Sequence, residues 1–143
     1  MRGSAARPAS LLFGLIFLLG GCGHQQPDSD PSRTINVLPT NYKSDILGAM
    51  HAYLDDPTGI RDAAIGEPAL KTIGDATRYV VCLRLNAKKN GSKEYAGTKE
   101  MVAAFFGGRF DQFIENNSKN INIKDICAGV TYAPFPELQK LPP

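Results

Sequence analysis

Apolar side chains along this chain fall into three successive patterns. Leu11 to Leu19 reads LLFGLIFLL, nine residues interrupted only by Gly14. A bilayer-crossing helix needs about 20 apolar residues, so this run is too short to span and has the length of a secretory h-region, with Arg2 and Arg7 as its basic n-region. From Gly23 to about Thr40 the pattern disappears. Pro, Ser, Asp and Gln dominate there without period, which predicts an extended tether holding His24 in solvent. From Asn41 the spacing becomes helical: Tyr42, Ile46, Leu47, Met50, Tyr53 and Leu54 share one face, and Ser44, Asp45, Gly48 and Ala52 the other. Asn41 is the expected N-cap, Pro57 and Gly59 the stop, and His51 borders the apolar stripe as a half-covered residue.

Beyond the helix the period shortens to two. Ile60 to Ile65 is a weak strand closed by Gly66-Glu67-Pro68, and Ala69 to Gly74 reads as a short helical turn. The strongest strand is Arg78 to Ala87. Tyr79, Val81, Leu83, Leu85 and Ala87 alternate on one face, and Arg78, Arg84, Asn86 and Lys88 on the other. Val80 and Cys82 lie on that second face, so the middle of the strand requires a cover. Asn90-Gly91-Ser92 marks a turn, Glu100 to Phe106 a second strand, Gly107-Gly108 a reversal and Arg109 to Glu115 a third strand. Asn116-Asn117-Ser118 turns the chain again, Ile121-Asn122-Ile123 alternates briefly, and the Pro-rich tail from Tyr132 reads as an extended or frayed segment. One helix followed by hairpins predicts an α+β domain over residues 41–143, an antiparallel β-meander behind an amphipathic helix.

Composition narrows the classes. At 143 residues and 43% hydrophobic, the chain has the length of one domain and too much apolar content for disorder. Its 16 basic and 14 acidic side chains leave +2, no excess with which to grip a phosphate backbone, so nucleic acid is not an expected partner. Without Arg2 and Arg7 the remaining 14 basic residues balance the 14 acidic ones.

Leu19-Gly20-Gly21-Cys22 closes the apolar run with an apolar residue, two small residues and a cysteine. This resembles the lipobox of bacterial lipoproteins. The resemblance covers residues 1–22 and implies removal of the signal peptide 1–21, diacylglyceryl and palmitate modification of Cys22, and a lipid-bearing tether over 22–40. Gly23 stands where an Asp would signal inner-membrane retention, so the resemblance implies an outer-membrane anchor with the domain facing the periplasm. The body also resembles small exported proteobacterial proteins of unknown function, through Asp56-Pro57, Cys82-x-x-x-Asn86-Ala87-Lys88, Gly91 and Tyr95-x-Gly97. Those proteins often carry Gly-Gly before the Tyr, where this chain has Lys93-Glu94. This second resemblance spans about residues 42–106, brings no activity, and gives Asn86 and Tyr95-Ala96-Gly97 a part in hairpin architecture.

If Cys22 carries lipid, Cys82 and Cys127 are left as an even pair in an exported protein, and the expectation is a disulfide. It would pin the C-terminal segment over Val80 and Cys82. A metal site there would lack neighbouring ligands, and a catalytic thiol would lack a histidine.

Chemistry is sparse. There is no G-x-S-x-G, H-E-x-x-H, P-loop or dinucleotide fingerprint, and no cofactor is expected. His51 is the histidine left for a triad. The carboxylate pairs Asp55-Asp56 and Glu100 with Asp111 are the candidates for hydrolysis. Arg84, Lys88, Lys89 and Lys93 surround the first long hairpin and are the candidate contacts for an anionic ligand or partner. They read equally as a solvated hairpin end guarded against edge pairing. The leading expectation is a non-enzymatic envelope lipoprotein working through protein contact, as accessory or inhibitor of an envelope component. An envelope glycan or anionic-ligand binder is the alternative, and a small hydrolase comes third.

Overall fold

The computed structural model describes residues 36–116 and 121–143. The expected signal segment, Cys22 and the tether up to residue 35 lie outside the described residues. No described helix is long and apolar enough to cross a membrane.

Helix α1 spans Tyr42–Tyr53, followed by β1 (Arg61–Ile65), β2 (Ala69–Ile73), β3 (Ala76–Asn86), β4 (Lys99–Phe106) and β5 (Arg109–Ile114). The chain closes with α2 (Ile123–Ile126), β6 (Ala133–Pro134) and α3 (Pro136–Gln139). The strands form one antiparallel six-stranded sheet in the order β5-β4-β3-β1-β6, with β2 also paired to β3. β1, β3, β4 and β5 stand side by side in the antiparallel order of the expected meander, and β2 and β6 add to it. β1 and β2 lie end to end along the same edge of β3: Ile65 pairs with Leu83, Ala69 with Val80, and the Gly66 amide between them donates to the Cys82 carbonyl at 2.9 Å.

Several local expectations are corrected. Residues 69–73 are strand and not a helical turn, because β3 runs on beyond Val80 and offers Ala76–Tyr79 as partners. Asn41 precedes α1, but its side chain makes no cap bond; its carbonyl accepts from the Asp45 amide at 3.0 Å. The helix stops at Tyr53, ahead of Pro57, and His51 is exposed where half-covered was expected. Asn122 accepts from the Lys124 amide and caps a short helix, so the alternation over 121–123 does not become a strand. The tail is anchored: β6 pairs with β1, and Phe135 and Leu138 are fully buried.

Two cores sandwich the sheet. Val81, Leu83 and Leu85 of β3 and Met101, Ala103 and Phe105 of β4 meet Ile46 and Met50 of α1 together with Phe135 and Leu138. On the other face Val80, Val102, Ala104 and Ile114 are covered by Ile123 and by the Cys82–Cys127 disulfide, whose cysteines stand 45 residues apart. The period-two reading of β3 therefore holds on both faces, and the required cover is the C-terminal segment.

Two bulges break strict alternation. Between Arg61 and Ala64 the register to β3 slips at Asp62, whose φ is 52°. The extra residue lets Ala63 and Ile65 share the face of the α1 core while Arg61 turns the other way. In β5, Phe110 pairs with Phe105 and Gln112 with Ala104, leaving Asp111 as the extra residue. Phe110 and Phe113, three apart, thereby reach the same face of the sheet.

Candidate functional site

The β5 bulge and the small residues of α1 together create a groove. Phe105, Phe110 and Phe113 form an aromatic ladder, with centroids 6.1 Å apart for the first pair and 4.8 Å for the second. Tyr53, at the end of α1, continues it at 5.1 Å from Phe113. Above these rings α1 presents Gly48, Ala49 and Ala52, side chains too short to fill the space. The result is an open groove of about 700 Å³, with Ser44, Asp45 and Arg109 at one end and Tyr53 and Phe113 at the other. Among the described residues β5 has a strand neighbour on one side only, so backbone donors and acceptors along the groove's outer wall are available. The helical pattern placed Ser44, Gly48 and Ala52 on the solvent face, which is correct as far as it goes. It missed that the same stripe becomes a groove wall. The Phe110-x-x-Phe113 spacing, out of step with a regular strand, was the available signal.

The four expected cations do not form one uncompensated surface. The Arg84 guanidinium lies 3.9 Å over the Tyr132 ring and pairs with Glu100 at 3.1 Å. The Tyr132 hydroxyl donates to the same carboxylate at 2.6 Å. Burial, reinforced by Glu100, pushes the Tyr132 hydroxyl pKa well above its ordinary value. Lys88 donates to Asp56 at 2.8 Å and to Thr58 at 3.0 Å. The Lys88 ammonium, followed by the Thr58 hydroxyl and amide, holds the Asp56 carboxyl down at about 2. Lys89 pairs with Glu94 at 3.1 Å, and Lys93 has no ion pair among the described residues. Three of the four are thus occupied by intramolecular anions.

Lys88 belongs to a polar corner that the sequence reading divided between two ideas. Arg61, turned outward by the bulge at Asp62, stacks 3.8 Å over the Tyr95 ring, and the Tyr95 hydroxyl donates to the Gly59 carbonyl at 2.8 Å. The Asn86 side chain accepts from the Gly97 amide at 2.9 Å, where Gly97 takes φ 92°. Asn86 and the Tyr95-Ala96-Gly97 segment therefore do serve hairpin architecture. Asp56, Lys88 and Tyr95 tie the long β3–β4 connection to the segment between α1 and β1.

Three carboxylates of the candidate hydrolytic pairs are held in ion pairs. Asp56 is taken by Lys88, Glu100 by Arg84 and Tyr132, and Asp111 by Arg78 at 3.0 Å. No group of three His, Cys, Asp or Glu among the described residues is arranged to hold a metal ion. The geometry thus describes a disulfide-braced antiparallel sheet whose open feature is an apolar groove beside a free strand edge. Comparison with protein-family models, with curated proteins and with solved structures finds no match.

Proposed function

We propose that this chain is a lipid-anchored protein of the bacterial cell envelope that works without catalysis, by holding an apolar extended segment of a protein partner in the α1–β5 groove. The observation that carries the reading is the groove itself: an aromatic floor, a wall of small side chains, and an unpaired strand edge alongside. An extended segment can add main-chain hydrogen bonds to such an edge while its alternate side chains enter the groove. The anchor rests on Leu19-Gly20-Gly21-Cys22. One acyl chain holds a protein marginally, whereas the two or three of a lipoprotein make attachment practically permanent, at roughly 0.8 kcal/mol for each buried methylene. Gly23 favours the outer membrane, with the domain in the periplasm.

The test is site-specific photocrosslinking in cells from positions 52 and 113, with position 75 in the β2–β3 turn as reference. The expected result is a discrete protein adduct from 52 and 113 that is absent from 75 and is lost when Gly48→Leu fills the groove without lowering thermal stability. Adducts that persist in the filled variant, or equal labelling from position 75, would remove the groove from the account. Palmitate incorporation that survives Cys22→Ser would remove the anchor.

A further inference from the structure

The end of the molecule at which the described residues begin carries three of their five exposed large hydrophobic side chains. Val37 and Leu38 are 46% and 52% exposed although both are large aliphatic residues, and Phe106 at the end of β4 is 50% exposed. Val37 packs against the β4–β5 reversal, where a Cβ on Gly108 would lie 2.9 Å from its Cγ1. Val37, Leu38 and Phe106 therefore gather around one hairpin tip. Two cations stand at that end. Arg109 opens β5 directly after the reversal, and Lys43 lies in the first turn of α1, beside the Ser44 and Asp45 that share the groove end with Arg109. Neither has an ion pair among the described residues, in contrast to Arg84, Lys88 and Lys89. Asp45 beside Lys43, and Asp75 in the β2–β3 turn at the same end of the sheet, lack ion pairs as well. The apolar tip is thus set in a rim of mixed charge, the composition of a surface that enters the headgroup boundary of a bilayer.

Chain length gives the same direction. Thirteen residues, 23 to 35, separate Cys22 from the first described residue, Asn36. Fully extended they reach at most about 45 Å, and the chain they feed enters the fold beside the apolar tip. We infer that the domain docks on the membrane through this end, with Val37, Leu38 and Phe106 entering the acyl boundary and Lys43 and Arg109 meeting anionic headgroups. The inference rests on the lipid anchor proposed above. It adds an orientation: the β3–β4 loop around Asn90, at the opposite end of β4, points away from the bilayer, and the groove runs up from the membrane surface.

The chain contains no tryptophan, so a single one reports without background. The intact lipidated protein carrying Phe106→Trp, Val37→Trp or, as reference, Asn90→Trp is reconstituted into phosphatidylethanolamine–phosphatidylglycerol vesicles with and without dibrominated acyl chains. Bromine quenches tryptophan only at acyl depth. The expected result is at least a threefold drop in emission from positions 106 and 37 and less than a tenth from position 90. Equal quenching at all three positions, or none at 106 and 37 in protein that floats with the vesicles, overturns the orientation and leaves the anchor standing. Protein that does not float with the vesicles overturns the anchor, and the orientation with it. A protein adduct from a photocrosslinker at position 106 in cells would assign the tip to a partner and also overturn the inference.

Discussion

Replacing both Cys82 and Cys127 with alanine removes the one covalent tie between the C-terminal segment and the sheet among the described residues. The bridge closes a loop across a sequence separation of 45 residues. The chain-entropy relation for a loop of that length gives about 4 kcal/mol of stabilisation, lost when the unfolded chain is freed. The face it covers is the smaller of the two cores, with Ile126, Val130 and Tyr132 half-buried around it. Val80, Val102, Ala104 and Ile114 meet Ile123 and the two cysteines, against a much larger core on the α1 side. Total stabilities of single domains run about 5–15 kcal/mol, so the variant should lose a large share of its margin. With a urea m-value of about 1.5 kcal/mol/M, the midpoint should fall by roughly 2–3 M, read by far-UV circular dichroism in parallel with the oxidised wild type. Hydrogen exchange should show amides near Cys127 and Val130 losing protection first, ahead of the β3–β4 ladder. A midpoint within about 0.5 M of the wild type would refute the reasoning, because the α1 core would then suffice to hold the C-terminal segment.

Three further outcomes follow from particular contacts. A Cβ at Gly66 would sit 2.5 Å from Cγ1 of Val130, so Gly66→Ala should destabilise by about 1–3 kcal/mol, and Gly66→Ala with Val130→Ala should recover much of that in thermal melts. Asp56 has a folded pKa lowered from 3.8 to about 2, so its contribution is present above pH 3.8 and lost as pH falls towards 2; Asp56→Asn should flatten stability across that window in acid titrations. Tyr132 has a raised pKa, so its contribution is present below pH 10 and lost as pH rises through the folded value; absorbance titration should show a late-ionising tyrosine, and Tyr132→Phe should remove that late step.

Much of the architecture was legible because local chemistry and burial agree in β3. Its alternation gave both faces, and the uncovered pair Val80 and Cys82 foretold a lid. The two failures have different causes. Residues 69–73 pair across the two-residue Gly74-Asp75 turn with the first residues of β3, so the signal missed there was a local hairpin turn. The tail from Tyr132 instead takes its conformation from the outer edge of β1, far away in sequence. Periodicity within a segment cannot report a partner in another.

The candidate site shows the same division. Sequence alone determined the apolar run, the Leu19-Gly20-Gly21-Cys22 motif, the polar spacer, the balanced charge and the even cysteine pair, all of them properties of composition and local order. Only the tertiary structure decided that Arg84 and Lys88 face anions from other segments, because charge pairing across 32 residues, as from Asp56 to Lys88, leaves no local trace. Only it decided that one extra residue in β5 turns Phe110 and Phe113 to the same side. A bulge changes the side-chain period by a single step, and its meaning depends on what lies opposite. Here that is a helix face of glycine and alanine, and the space between becomes the groove.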